Sequence, residues 1–159
     1  MNSNPIKIRP ACSLDIPELQ RLWKELIDDH KASNDFFSRS AHGHQFYANF
    51  ISKQLTQKSA MIFVAEIPQS LVGYIHLEIS DYHQVYVKNE FGFIHELVVT
   101  QAYRFQGIGK QLYNTAMQWF KKHKITRIEL DVAASNPKAK QFWQALGFEN
   151  FMNRLSKEI

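Results

Sequence analysis

Residues 6–9 alternate apolar and basic positions, which predicts a short first strand. The spacing then changes. Ile16, Leu19, Leu22, Trp23, Leu26 and Ile27 recur every three or four positions, the pattern of a helix buried along one side. Asp15 with Glu18 forms a capping-box pattern at its start, and Pro17 falls in its first turn. Residues 28–44 are polar and predict a loop, after which Phe46, Phe50, Ile51 and Leu55 predict a second, shorter helix. Residues 60–67 and 71–80 read as strands joined by a hairpin turn at Pro68-Gln69-Ser70. After a polar insert, residues 91–100 are apolar on both faces, as expected of a strand inside a sheet. Residues 107–123 place Ile108, Leu112, Ala116, Trp119 and Phe120 on one helical stripe, and residues 125–132 alternate as another strand. Asn136 as N-cap, Pro137 at the first helical position and Gly147 just past the end bracket a last helix, with residues from Phe148 onward predicted as a final extended segment. The order β-α-α-β-β-β-α-β-α-β is that of a mixed α/β domain, with no internal repeat and no linker.

Length fits this reading. At roughly 100 to 200 residues per domain, 159 residues make one domain with one core. Hydrophobic residues are 45% and charged residues 21%, close to the globular average, which excludes disordered and fibrous classes. The longest apolar run, residues 60–65, falls far short of the roughly 20 residues that span a bilayer, so no membrane association is expected. Residues 1–5 lack a basic region followed by an apolar stretch, which predicts no secretory leader and a cytoplasmic location. The single cysteine, Cys12, has no partner for a disulfide or a cysteine metal site. His42 and His44 have no third ligand in their polar loop, so no metal is expected.

The net charge of +4 is modest, but it is unevenly distributed. Between Leu97 and Ile128 there is no acidic residue, while Arg104, Lys110, Lys121, Lys122, Lys124 and Arg127 supply six positive charges. Without them the chain carries 13 basic against 15 acidic residues. A local basic segment of this kind suits an anionic small ligand, and the overall balance does not suggest nucleic acid. Lys121, Lys122 and Lys124 also fit a plain solvated helix face, whereas Arg104 and Lys110 flank glycines. Arg104-Phe105-Gln106-Gly107-Ile108-Gly109-Lys110 stands between a strand and a helix, where glycines let backbone N–H groups wrap a phosphate at a helix N-terminus. It is not a Walker loop, because Lys110 is followed by Gln111. Nor is it a dinucleotide fingerprint, because the third glycine position holds Leu112.

Arg104-x-x-Gly107-x-Gly109, preceded by Glu96-Leu97-Val98-Val99 and Tyr103, resembles the acetyl-coenzyme A loop of the GNAT superfamily of N-acetyltransferases. A second motif agrees: Asn136-Pro137-x-Ala139-x-x-Phe142-Trp143-x-x-Leu146-Gly147-Phe148 resembles the family's closing pattern. The resemblance implies a GNAT-like acyl-CoA N-acyltransferase fold over nearly the whole chain, with a core at about residues 6–150. In that fold a mixed, mostly antiparallel sheet is flanked by helices, and a splayed parallel strand pair opens the cofactor slot. It further implies acetyl-CoA as co-substrate, with Leu97 and Val99 pairing with pantetheine and the N–H groups of Arg104, Phe105, Gln106, Gly107, Ile108, Gly109 and Lys110 holding the pyrophosphate. Asn136, Phe142 and Trp143 would meet the cofactor's other side.

For the chemistry, the resemblance assigns the oxyanion to a backbone N–H at a strand bulge, taken as that of Val98, and the base to His95, a side chain that can accept a proton near pH 7. Glu96 is expected on the opposite face of the strand, either paired structurally or acting directly. Trp143 stands where the family often has a tyrosine acid, and an indole does not protonate a thiolate. Acidic and aromatic residues of the two polar inserts, Asp28, Asp29, Asp35, Phe36 and Phe37, then Asp81, Tyr82, Tyr86 and Glu90, suit a cationic acceptor, while the charges also suit solvated loops and Phe36 and Phe37 equally suit the core. The expected function is acetyl transfer to a primary amine of a small molecule. Two alternatives stay open, a protein lysine or N-terminal acetyltransferase and a non-catalytic acyl-CoA-binding module, as does a homodimer.

Overall fold

The computed structural model describes residues 6–87 and 90–159. Residues 1–5, on which the expectation of no leader rests, lie outside them. Five strands form one sheet in the order β1 (Lys7–Pro10), β2 (Ala60–Ile67), β3 (Ser70–Asp81), β4 (Glu90–Val99), β5 (Ile128–Leu130). The first four are antiparallel neighbours and β4 pairs β5 in parallel. Helices α1 (Ile16–Ser33) and α2 (Gly43–Gln54) cover one face, where Leu19, Leu22, Ile51, Val64 and Tyr74 are buried together. Helix α3 (Ile108–Lys122) covers the other with the stripe read from its spacing, Ile108, Leu112, Ala116, Trp119 and Phe120, all buried. It approaches so closely that a Cβ on Gly92 would stand 2.4 Å from the Phe120 ring. Helix α4 (Pro137–Ala145) begins as its caps predict, the Asn136 side chain accepting from the Ala139 N–H, and ends before Gly147 in the left-handed region.

Four local expectations are corrected. The Asp15–Glu18 capping box does not form, because the Asp15 carboxylate accepts from Arg9 at 2.7 and 2.9 Å and from the Cys12 N–H at 2.8 Å. That pair holds the nearly buried Asp15 carboxyl below its ordinary range. Residues 28–33 are helix rather than loop: the polar extension of α1 is solvent-facing, with Asp28 paired to Arg39. The strand predicted at 125–132 narrows to three residues, because Lys124 turns with a φ of 61° and the Ile125 N–H closes the end of α3 on Phe120. From Phe148 onward no strand forms; the Phe148 N–H bonds back to Trp143 and the rest runs on without a ladder.

Candidate active site

Strand β4 is where the sheet opens. Gly92, Phe93 and Ile94 pair with Ile128, Glu129 and Leu130, and from His95 onward β4 has no β5 partner. On its other side the β3 register slips at the same point: Leu77 faces Ile94 and His76 faces Glu96, so His95 is the extra residue of a β-bulge. The bulge has two consequences for the strand's alternation. First, side chains: Ile94 belongs to the α3-side core, while both His95 and Glu96 turn to the opposite face, where His95 meets Glu78 and Glu96 meets Tyr74. The expectation that Glu96 points away from His95 is therefore wrong; one inserted residue cancels the strand's two-residue period. Second, backbone: the Thr100 N–H bonds to Val72 at 2.9 Å, so by alternation the Val98 N–H also points to β3, opposite Tyr74. The N–H groups of Leu97 and Val99 point into the gap that β5 leaves. The expectation that the Val98 N–H faces the gap is therefore corrected. The Val98 side chain is buried against α1 and α2, the N–H is turned into the β3 ladder, and Leu97 offers the N–H instead.

The loop after β4 presents backbone. Phe105 (φ 63°) and Gly107 (φ 81°) take left-handed conformations, and the first turn of α3 is closed only by the Gln111 N–H on Gly107. Among the described residues, the N–H groups of Phe105, Gln106, Gly107, Ile108, Gly109 and Lys110 have no backbone acceptor. Six such groups at the positive end of a 15-residue helix form an anion cradle. Arg104 is different. Its N–H closes the preceding turn on Gln101, and its guanidinium bonds the Val99 carbonyl at 2.9 Å, Asp29 at 2.6 Å and Glu25 at 3.4 Å. Arg104 therefore ties the loop to α1, and the Val99 carbonyl is spent on it. A Cβ at Gly109 would lie 3.5 Å from Phe142 and 3.9 Å from Leu97, so this glycine lines the space between β4 and α4. Asn136 spends its carbonyl on capping α4. Trp143, 8% exposed, packs edge-on against Phe142, Tyr113 and Phe148 with centroids 5.0, 6.2 and 5.3 Å away, as a wall of the α3-side core.

On the face toward α1 and α2, Glu96 Oε2 accepts from the Tyr74 hydroxyl at 2.7 Å, and the single hydrogen of the Tyr47 hydroxyl is shared between Glu96 Oε2 at 3.2 Å and the Tyr74 oxygen at 3.0 Å. Burial raises the Glu96 carboxyl above its ordinary range, opposed by those two hydroxyls and by His95. Burial likewise pushes the Tyr74 hydroxyl far up, so it stays a donor. His95, Phe93, Phe91 and Tyr82 continue as an aromatic row along the strand, with successive centroids 5.0, 6.4 and 4.2 Å apart. Tyr82 is further held by Glu129 and Arg127. The sequence reading missed Tyr47, Tyr74 and Glu78. A signal existed on β3, where Tyr74, His76 and Glu78 interrupt an apolar strand at every second position while Ile75 and Leu77 stay apolar. Conversely, Asp28 and Asp29 are neutralised by Arg39 and Arg104, and Phe36 is 84% exposed, so none of these three belongs to this cluster. No helix among the described residues is long and apolar enough to cross a membrane.

Comparison with known proteins agrees with this architecture. The model of the Acetyltransferase (GNAT) family matches residues 19–148. An uncharacterized N-acetyltransferase of Methanocaldococcus jannaschii is 34% identical over 55% of the chain and 38% of its own length. One from Archaeoglobus fulgidus is 26% identical over 79% of the chain and 88% of its own length. The first of these relatives is thus matched over well under half of its length. Among solved structures, a tetramutant of a Bacillus halodurans protein superposes with a TM-score of 0.87 at 20% identity, over 96% of this chain and 99% of that one. An aminoglycoside N-acetyltransferase in complex with CoA superposes with a TM-score of 0.75 at 18% identity, over 99% and 97%. At these identities the two structures attest to the fold.

Proposed function

The chain belongs to the GNAT family of acetyltransferases, and from that premise we propose that it is one N-acetyltransferase domain that moves an acetyl group from acetyl-CoA to a primary amine of a small, cationic molecule. The observation that carries this reading is the bulge at His95, which sets an imidazole and a carboxylate on one face beside the N–H of Leu97 at the mouth of the opened sheet. The cradle at 105–110 suits a pyrophosphate, and the N–H groups of Leu97 and Val99 suit an extended amide chain lying where β5 has departed. Gly109 and Phe142 border that path, with Asn136 at the start of α4. Acetyl-CoA supplies the activated thioester.

The protein's part is then positional and electrostatic. Glu96, fixed by two tyrosine hydroxyls, offers negative potential to an ammonium group, and the aromatic row beside it offers ring faces. His95 takes the proton that frees the amine lone pair. The Leu97 N–H donates to the acyl oxygen as negative charge gathers there. Trp143 supplies shape and no proton, which leaves the departing thiolate to be protonated from solvent.

A small-molecule acceptor is favoured because the carboxylates lie on the sheet face itself, within reach of a compact amine. The likeness to an aminoglycoside N-acetyltransferase fold is in keeping with it. The test is an amine panel of polyamines, aminoglycosides, amino acids and short peptides, read as release of free CoA thiol corrected for hydrolysis. Turnover with small polycationic amines and not with peptides is the expected result; turnover with peptides alone would replace the acceptor class, and none with any amine would leave a binding module.

A further inference from the structure

Two groups packed against His95, Glu78 and His76, have no part in the chemistry above. His95 Nε2 and Glu78 Oε2 are 2.6 Å apart. Beneath them the His76 ring stacks on that of His95, with centroids 4.6 Å apart and planes 24° from parallel. His76 is fully buried; its Nε2 shares a hydrogen with Gln54 Oε1 at 3.2 Å, and its Nδ1 has no partner among the described residues. Phe93 closes on the His95 ring edge-on at 5.0 Å, and Phe50 closes on His76 at 5.7 Å.

We propose that Glu78 is a positioning residue for His95: its carboxylate holds the Nε2–H and thereby fixes the tautomer whose free lone pair is on Nδ1. The proposal rests on His95 being the proton acceptor. An ionised carboxylate can only accept, so the ring nitrogen facing it carries the hydrogen, and a neutral imidazole then has its lone pair on the other nitrogen. In the reaction the ammonium N–H bond breaks as the Nδ1–H bond forms. The Nε2–H stays on Glu78, and the positive charge that appears on the ring is met by the Glu78 carboxylate on one side and Glu96 along the strand. His76 does not compete for that proton. Burial, with a smaller contribution from His95, pushes its pKa down to about 3, so the stack carries a single charge. Among the described residues, α2 contributes the uncharged Gln54 and Phe50 to this stack, and on β5 Arg127 and Glu129 are paired with each other. Glu78 and His95 are both partly exposed, and an ion pair of that kind contributes little to stability. Its removal should therefore be read in the chemistry and not in folding.

The experiment is ring-nitrogen NMR of His95 in the full chain, assigned with His95→Ala, together with kcat and KM for wild type and Glu78→Gln. We expect the Nε2–H tautomer in the wild type. In Glu78→Gln the amide oxygen can still accept but the charge that meets the imidazolium is gone, so kcat should fall about tenfold with the KM for acetyl-CoA unchanged. The melting temperature should be unchanged. An Nδ1–H tautomer in the wild type, or a Glu78→Gln variant with the wild-type kcat, would overturn the proposal. Should His95→Ala keep the wild-type rate, the reading of His95 as base falls and the catalytic consequence with it. The nitrogen shifts then decide separately whether Glu78 sets the tautomer.

Discussion

The cradle at 105–110 and the bulge at His95 lie at the two ends of one gap in the sheet, yet they are built from different material. The cradle is backbone: six N–H groups released by two left-handed residues and a helix start. Its geometry is decided within a dozen residues of chain, and glycine is its one strict requirement. The bulge is a long-range product. Its side chains come from α2, β3 and β4, and they meet because a single extra residue in β4 shifts the register against β3. A locally built site can hold a ligand shared by many proteins, while a site assembled across elements can change its side chains without disturbing that hold. The two should therefore be separable by mutation.

The largest effect is expected in the cradle. Gly109→Asp adds a Cβ that meets Phe142 and Leu97 at ordinary contact distances, so the fold should survive. The carboxylate would fill the slot and oppose the pyrophosphate, and calorimetry should find acetyl-CoA binding abolished. On the bulge face, His95→Ala should lower kcat by about 10²-fold in steady-state assays, the low end for loss of a general base.

A smaller effect concerns stability alone. His76 has its folded pKa lowered to about 3 against an unfolded value near 6.5, so the unfolded chain binds a proton first and stability falls with pH between those values. From pH 7 to pH 5 the loss attributable to this group is about 2 kcal/mol, and urea titrations of wild type against His76→Leu should show it in the first and not the second. The smallest effect is at Trp143→Tyr, which should cost about 1 to 2 kcal/mol in packing and raise the KM for acetyl-CoA without raising kcat. A higher kcat with intact stability would return the position to proton donation.

What could be read from the sequence divides along the same line. The α3 stripe, the caps of α4, the hairpin and the glycine loop were legible because each depends on residues within one or two turns of each other. The place of the bulge was not: the family resemblance implied one in this strand, but nothing local in Phe93-Ile94-His95-Glu96-Leu97 marks which residue is inserted, and only pairing with β3 puts it at His95. From that one misplacement followed both errors at the site, the face given to Glu96 and the N–H given to Val98. Arg104 misled for a related reason. Its place in the motif suggested phosphate, but Asp29 and Glu25 on α1, some 75 residues away in sequence, claim the guanidinium.

The most direct test of the separation is calorimetric titration of acetyl-CoA into His95→Ala protein. If the cradle and gap bind the cofactor and the bulge face serves the acceptor, the dissociation constant should stay within about threefold of wild type even as turnover collapses. A loss of affinity of tenfold or more in this folded variant would contradict the account, because the bulge face would then be part of the cofactor site.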